Sequence, residues 1–157
     1  MKASSPPRNV LLDTNILLLL VIGSYDRSLL GSHKRVAKFT DDDFDLLDQI
    51  VRRVNSLVTT PHVLTETSNL ASHIGEPHRG KVLNMFAEKI TLLAERREAA
   101  QTLAQDSLFT RLGLTDAGIL HLVDDTVLLT DDYRLTNTAI ERGLNAVNFN
   151  HFRTFRV

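Results

Sequence analysis

A chain of 157 residues has the size of a single domain that can bury a core of its own. Apolar residues make up 43% of it and charged residues 24%, which argues against disordered, collagen-like and disulfide-rich proteins. A net charge of −1 gives no overall attraction to nucleic acid, and the absence of cysteine excludes disulfides, thiol catalysis and zinc–thiolate sites. We expect one domain over residues 1–157, a flexible start over residues 1–8 and a cytoplasmic location.

The longest apolar run covers residues 10–22 and contains Asp13 and Asn15. It is shorter than the roughly 20 residues that span a bilayer. It also differs from a signal peptide, because a charge lies inside the apolar stretch and no small-residue cleavage site follows. We therefore predict no membrane partner.

The first part of the chain alternates between predicted strands and helices. Residues 9–13 indicate a strand buried on both faces, and residues 15–22 indicate a buried helix that Gly23–Ser24 ends. After a basic loop with little periodicity, Thr40 caps an amphipathic helix with an acidic first turn. The order so far is strand, helix, loop, helix.

The middle of the chain repeats this alternation. Residues 56–59 predict a second strand, and the next helix begins with Thr60 as its cap and Pro61 at its first position. A long helical region is predicted from about residue 80 to residue 105, with a kink or a short strand around residues 90–93 as an alternative.

The last part of the chain completes the pattern. Thr115 caps a helix, residues 126–130 form a buried strand, and Asp131–Asp132 begin a helix that ends at Gly143. Residues 145–149 predict the last strand. Strands that alternate with helices through short capped turns indicate an α/β fold, in which helices cover both faces of a parallel sheet.

Acidic residues recur at the ends of the predicted strands. Asp13 ends the first strand and Asp131–Asp132 end a late one, so both lie at the carboxyl edge of the sheet. Glu66 and Asp116 lie near the starts of helices, which in a parallel sheet are at the same edge. Ligands of open α/β sheets bind at this edge, where the strand order reverses. The sequence therefore predicts that four acids from distant segments meet in one crevice.

Clustered carboxylates raise one another's pKa, and the cluster is destabilising unless a cation lies between them. Oxygen ligands suit Mg²⁺ or Mn²⁺, and such an ion can polarise a phosphoryl oxygen and activate a bound water. The predicted chemistry is phosphodiester hydrolysis.

Four segments carry a resemblance to a known family, and they are 10–15 (VLLDTN), 61–66 (PHVLTE), 112–116 (LGLTD) and 128–132 (LLTDD). In this order on a strand–helix pattern they resemble the acidic motifs of PIN-domain ribonucleases, over residues 9–149. The resemblance implies a three-layer α/β/α sandwich with a mostly parallel five-stranded sheet, and metal-dependent cleavage of single-stranded RNA. A lone domain of this size is most similar to the VapC-like toxins, which implies an antitoxin partner. Small domains of this kind also often form two-fold homodimers.

The resemblance also implies roles for individual residues. The catalytic metal ligands would be Asp13, Glu66, Asp116 and Asp132, with Asp131 as the second choice for the fourth acid. Asn15 and Thr130 would hydrogen-bond these ligands and orient them.

Basic residues offer candidate contacts to the phosphates of a nucleic acid. The candidates in the predicted loop and after the late strand are Arg27, Lys34, Arg35 and Arg134, and further along the chain Arg142, Arg153 and Arg156. Scattered surface charge is an equally good interpretation of these residues.

Other acidic and histidine residues favour simpler interpretations. The acids at 41–43 fit helix capping better than a metal site, because the helix dipole favours acids in a first turn. Asp124–Asp125 fit a turn, and His62, one turn before Glu66, fits a surface residue.

Two further functions remain as alternatives. One is a PIN-fold module without catalysis that binds RNA or a protein. The other is a phosphoacceptor protein, which the sequence disfavours because Asn15 stands where a second acid is needed and no Lys follows Lys89.

Overall fold

The structure, a computed structural model, describes residues 8–122 and 125–154. Its centre is one five-stranded sheet in which every strand pair is parallel, with the spatial order β3-β2-β1-β4-β5. The strands are β1 (Asn9–Leu12), β2 (Ser56–Thr59), β3 (Ala94–Glu95), β4 (Thr126–Thr130) and β5 (Ala146–Asn148). The predicted α/β class is therefore confirmed.

Helices flank this sheet and complete a three-layer α/β/α sandwich. They are α1 (Thr14–Tyr25), α2 (Asp41–Arg53), α3 (Pro61–Ala71), α4 (Arg79–Ile90), α5 (Ala100–Leu103), α6 (Phe109–Leu112), α7 (Leu114–Leu122), α8 (Tyr133–Glu141) and α9 (Phe149–Thr154), with a 3₁₀ helix at Arg27–Ser32. Among the described residues, none of the helices combines the length and apolar character needed to cross a bilayer.

The local signals for helix starts are confirmed at α2 and α3, whereas the predicted cap at Thr115 is wrong because α7 already begins at Leu114. Thr40 and Asp43 form a reciprocal capping box at α2, in which each side chain accepts from the other's backbone N–H. Thr60 accepts from the N–H of Val63, and Pro61 occupies the first position of α3. These caps fix where the chain turns from a loop or a strand into a helix.

Helix α1 is the centre of the core. Residues 16–22 are all at most 1% exposed, and the helix contacts α2, α3 and α4. A helix that is apolar on every face must be buried on every face. The predicted end of this helix at Gly23–Ser24 is wrong, because the helix continues to Tyr25. Gly23 lies against the ring of Phe44, where an added Cβ would be 2.2 Å from a ring carbon, so close packing explains this glycine.

The predicted helical region 80–105 is wrong in its second half. Helix α4 ends at Ile90, and residues 94–95 form the edge strand β3, which pairs with β2. The alternative of a short strand was nearer the structure, although the strand lies just beyond residues 90–93. The final strand is shorter than predicted, since Phe149 begins α9.

The strand order reverses at β1. From β1 the chain adds β2 and β3 on one side and then returns to add β4 and β5 on the other. The N–H of Asp13 donates to the carbonyl of Leu129 at 3.0 Å, which keeps the ends of β1 and β4 side by side. This junction, at the carboxyl edge of the sheet, is where ligands of such folds bind.

The predictions for residues 1–7, for Asp124 and for Arg156 fall outside the described residues. Asp125 lies in a bend, as the predicted turn requires.

Candidate functional site

A cavity of about 120 Å³ opens at the junction of β1 and β4, and we call it the acidic crevice. It is lined by Asp13, Thr14, Asn15, Arg35, Glu66, Asp116, Asp131 and Asp132. The structure thus brings together all four predicted acids and the second choice, from four segments of the chain. Thr130 lies behind the crevice at the end of β4.

Asp13 is the most buried of the four predicted acids. It is the N-cap of α1, where it accepts the N–H of Thr14 at 2.7 Å, and it accepts the hydroxyl of Thr130 at 2.6 Å. Burial raises the pKa of Asp13 to about 6, against the lowering effect of these two hydrogen bonds, and the charges of Asp131 and Asp132 add to the increase. The carboxylate form of Asp13 is therefore held in an environment that disfavours it.

Asp116 lies in the first turn of α7 and is half-buried. Burial raises its pKa to about 7, and repulsion by Asp13, Asp132 and Glu66 contributes. Arg134 acts in the opposite direction and lowers the pKa. Glu66, half-buried on α3, is thus electrostatically coupled to Asp116 across the crevice.

The two acids that follow β4, Asp131 and Asp132, have different environments. Asp131 is buried, pairs with Lys38 at 2.7 Å from Nζ to Oδ2, and accepts the side-chain amide of Asn15 at 3.3 and 3.4 Å. Asp132 is exposed and caps α8, and its own N–H donates to the Thr130 hydroxyl at 3.0 Å. Asp131 therefore already has a cationic partner, and Asp132 has none among the described residues.

The oxygen donors of the crevice suit a divalent ion in their chemistry. The carboxylates and the threonine hydroxyl offer only oxygen, which suits Mg²⁺ or Mn²⁺. The buried hydroxyl oxygen of Thr14 has no hydrogen-bond partner among the described residues. Within the same part of the chain, however, no group of three or more acidic or histidine side chains is spaced to hold an ion. The donors therefore fit in chemistry and location, without forming a ready coordination shell.

The basic residues predicted from the sequence separate into two groups. Arg27 pairs with Asp45 at 2.6 Å and lies over the ring of Phe44. Arg142 and Arg153 are likewise paired, with Asp106 and Asp43. Lys34 is exposed and is not among the residues that line the crevice. Arg35 lines the crevice, and Arg134 lies close enough to act on the pKa of Asp116.

Three residues that line the crevice or bind its acids were not predicted from the sequence. Lys38 was one of several basic loop residues and had no signal that set it apart. Thr14 had no role in the sequence analysis, and the structure places it in the lining of the crevice. Asn150 donates its side-chain amide to the carbonyl of Asp131 at 3.0 Å, from a helix that was not predicted. His62, which was considered beside Glu66, is not among the residues that line the crevice.

No model of a protein family matches this sequence, and no curated protein matches it at a significant level.

Proposed function

We propose that this chain is a PIN-domain endoribonuclease that hydrolyses phosphodiester bonds of single-stranded RNA with Mg²⁺ or Mn²⁺. The observation that supports this proposal is the acidic crevice, where five carboxylates gather at the point of strand reversal. Burial, with repulsion between these acids as a smaller cause, raises the pKa values of Asp13 and Asp116 to about 6 and about 7. A cluster of this kind destabilises a fold unless a cation is bound between the acids. Acids with raised pKa values are also typical of functional sites.

Asp13, Glu66, Asp116 and Asp132 would hold the divalent ion. The ion would supply an activated water and neutralise the charge that develops on the phosphate. Thr130 orients two of these acids, since it donates to Asp13 and accepts from the backbone of Asp132. Asn15 binds Asp131, the acid that we now place outside the ligand set because Lys38 already neutralises it.

The resemblance to VapC-like toxins also leads us to propose a cytoplasmic toxin that forms a homodimer and is neutralised by an antitoxin. Purification of the native protein followed by identification of its co-purifying partner tests this part of the proposal. Isolation of the chain without a partner, and without toxicity on expression, would contradict it.

The activity is tested by incubating end-labelled single-stranded RNA and DNA with the purified protein in Mg²⁺, in Mn²⁺ or in EDTA. We expect RNA cleavage that requires the metal and is lost in Asp116→Asn. Asp41→Asn, which removes an exposed acid from the first turn of α2, is the matched control and should retain activity. Cleavage that persists in EDTA or in Asp116→Asn would contradict the proposal.

A second function is a PIN-fold module that binds RNA or a protein without cleaving. It is favoured by the Lys38–Asp131 ion pair and by the absence of a ready ion-binding group among the described residues. Calorimetric titration with Mn²⁺ distinguishes the nuclease from the module that does not cleave. Binding to the wild type and weaker binding to Asp116→Asn support the nuclease, whereas no binding in either supports the module.

A further inference from the structure

The segment 27–39, which we call the basic strap, is firmly attached to the fold although its sequence has little periodicity. Its start is held by Asp26, which accepts the backbone N–H and the hydroxyl of Ser28 at 2.9 and 2.7 Å. Leu30 and Val36 are buried in the core. The strap is therefore a fixed part of the structure.

A buried histidine fastens the middle of the strap. The Nε2 of His33 lies 2.8 Å from the carbonyl of Leu70 on α3, and its Nδ1 accepts the backbone N–H of Arg35 at 3.1 Å. One ring nitrogen thus donates and the other accepts, which is the pattern of a neutral imidazole. The backbone at Arg35 is held in place by this ring.

The end of the strap is fastened to α9. The ring of Phe39 packs edge-on against Phe149, with centroids 5.7 Å apart. Arg153 donates to the carbonyl of Lys38 at 2.8 Å and lies over the Phe39 ring. Two separate attachments, at His33 and at Phe39, therefore fix the short stretch between them.

This stretch presents two cations to the acidic crevice. Arg35 lines the crevice, and its guanidinium makes no hydrogen bond or ion pair with any residue that the structure describes. Lys38 reaches the crevice through Asp131, with its Nζ 2.7 Å from the carboxylate, yet it remains about half exposed. Arg27, at the other end of the strap, is already paired with Asp45.

We propose that Arg35 and Lys38 form a subsite that binds a phosphate of the RNA substrate at the mouth of the acidic crevice. This inference rests on the proposed function. The carboxylates of the crevice repel a phosphodiester, and nearby cations reduce this repulsion. Arg35 offers a planar guanidinium that fits phosphate and has no ion pair among the described residues. Asp131 holds Lys38 in place, which explains why a fifth acid is buried beside the four predicted ligands.

The experiment measures binding of a short fluorescein-labelled single-stranded RNA by anisotropy over a range of salt concentrations. All proteins carry Asp116→Asn, so that the RNA stays intact. Arg35→Gln and Lys38→Gln are compared with Arg53→Gln, a control that removes an exposed arginine from the last turn of α2, at the opposite edge of the sheet. Lys38→Arg keeps the charge beside Asp131.

We expect Arg35→Gln and Lys38→Gln each to raise Kd about tenfold, as the loss of one charge-assisted contact would. The slope of log K against log salt should fall by about 0.7 for each lost phosphate contact, and Arg53→Gln should change neither quantity. Lys38→Arg should restore binding, which a loss of folding would not allow. In the cleavage-competent protein, Arg35→Gln should raise KM more than it lowers kcat.

The subsite is wrong if Arg35→Gln or Lys38→Gln binds RNA with the Kd and slope of Arg53→Gln. If the wild type neither binds nor cleaves RNA, the proposed function itself fails and the subsite fails with it. If the wild type cleaves RNA and Asp116→Asn does not, while Arg35→Gln matches Arg53→Gln, only the subsite is overturned.

Discussion

Two acidic clusters among the described residues differ in their electrostatic surroundings. The first, Asp41–Asp43, occupies the first turn of α2, where the helix dipole favours negative charge. Its buried member, Asp43, accepts the N–H of Thr40 at 2.8 Å and the Nε of Arg153 at 3.0 Å. Every charge of this cluster is thus either solvated or compensated.

The second cluster, in the acidic crevice, also consists of carboxylates, but only Asp131 has an ion pair there among the described residues, with Lys38. Asp13 and Asp116 are desolvated and repelled by other acids, and their pKa values are raised. The number of acids therefore does not distinguish a site from a cap. What distinguishes them is whether the buried acids have a cationic partner: Asp43 pairs with Arg153, whereas Asp13 and Asp116 have no ion pair among the described residues. Each prediction below alters one of the two clusters.

The largest effect is expected for Asp13→Asn. Asparagine can still cap α1, so the fold is retained, but the buried carboxylate is lost. We expect RNA cleavage to fall by more than about a hundredfold, beyond the range of residues that only orient a ligand. Asp42→Asn removes an exposed acid from the α2 cluster and should cleave RNA at the wild-type rate. Equal rates for the two variants would remove the distinction between the clusters.

The second prediction concerns how the free energy of unfolding depends on pH. Asp13 and Asp116 bind protons more tightly in the folded chain than in the unfolded chain, so folding is favoured at low pH and stability falls as pH rises from about 4 to about 7. We expect the free energy of unfolding in EDTA to be lower at pH 8 than at pH 5 by on the order of 2–4 kcal/mol. Urea titrations at the two pH values measure this free energy.

The same titrations contain their own control. Asp116→Asn should be more stable than the wild type at pH 8 and should show a flatter pH dependence. A stability that rises between pH 5 and pH 8 would contradict the assignment of the raised pKa values to these two acids.

A third change weakens the compensated cluster. Asp43→Ala removes the capping box and leaves Arg153 without its carboxylate, so we expect a loss of about 2 kcal/mol in stability. The exposed Asp42→Ala should cost less than about 0.5 kcal/mol. Chemical denaturation of both variants checks this difference, and a stabilised Asp43→Ala would show that the α2 cluster is also strained.

The smallest effect is expected for Thr130→Val. The hydroxyl is lost, and with it the 2.6 Å bond that favours the charged form of Asp13. We expect cleavage to fall about tenfold and the pH at which cleavage is half-maximal to rise. Thr40→Val removes the equivalent hydroxyl at α2, and it should cost about 1 kcal/mol of stability with no change in cleavage.

The sequence predicted those parts of the fold that depend on neighbours along the chain. The caps at Thr40 and Thr60 and the apolar strands at 9–13 and 126–130 are local signals. Strand β3 could not be predicted, because its two residues are exposed and form a strand only by pairing with β2. Gly23 was misread because its role depends on Phe44, which lies on another helix.

The candidate site also has features that the sequence predicts and features that it does not. The convergence of the acids followed from the direction of parallel strands, which all end at one edge. The role of Lys38 could not be predicted, since its position is set by Phe149 and Arg153 near the other end of the described chain. The preference between Asp131 and Asp132 likewise depends on which of them a distant lysine reaches.

The enclosure of α1 also determines how the stability of this protein can be measured. Its residues 16–22 are covered on every side, so their amides cannot reach water by local fraying. Hydrogen exchange at these positions then requires the whole molecule to open. Deuterium uptake in the middle of α1, where reclosing is faster than chemical exchange, therefore reports the global free energy of unfolding under native conditions and without denaturant.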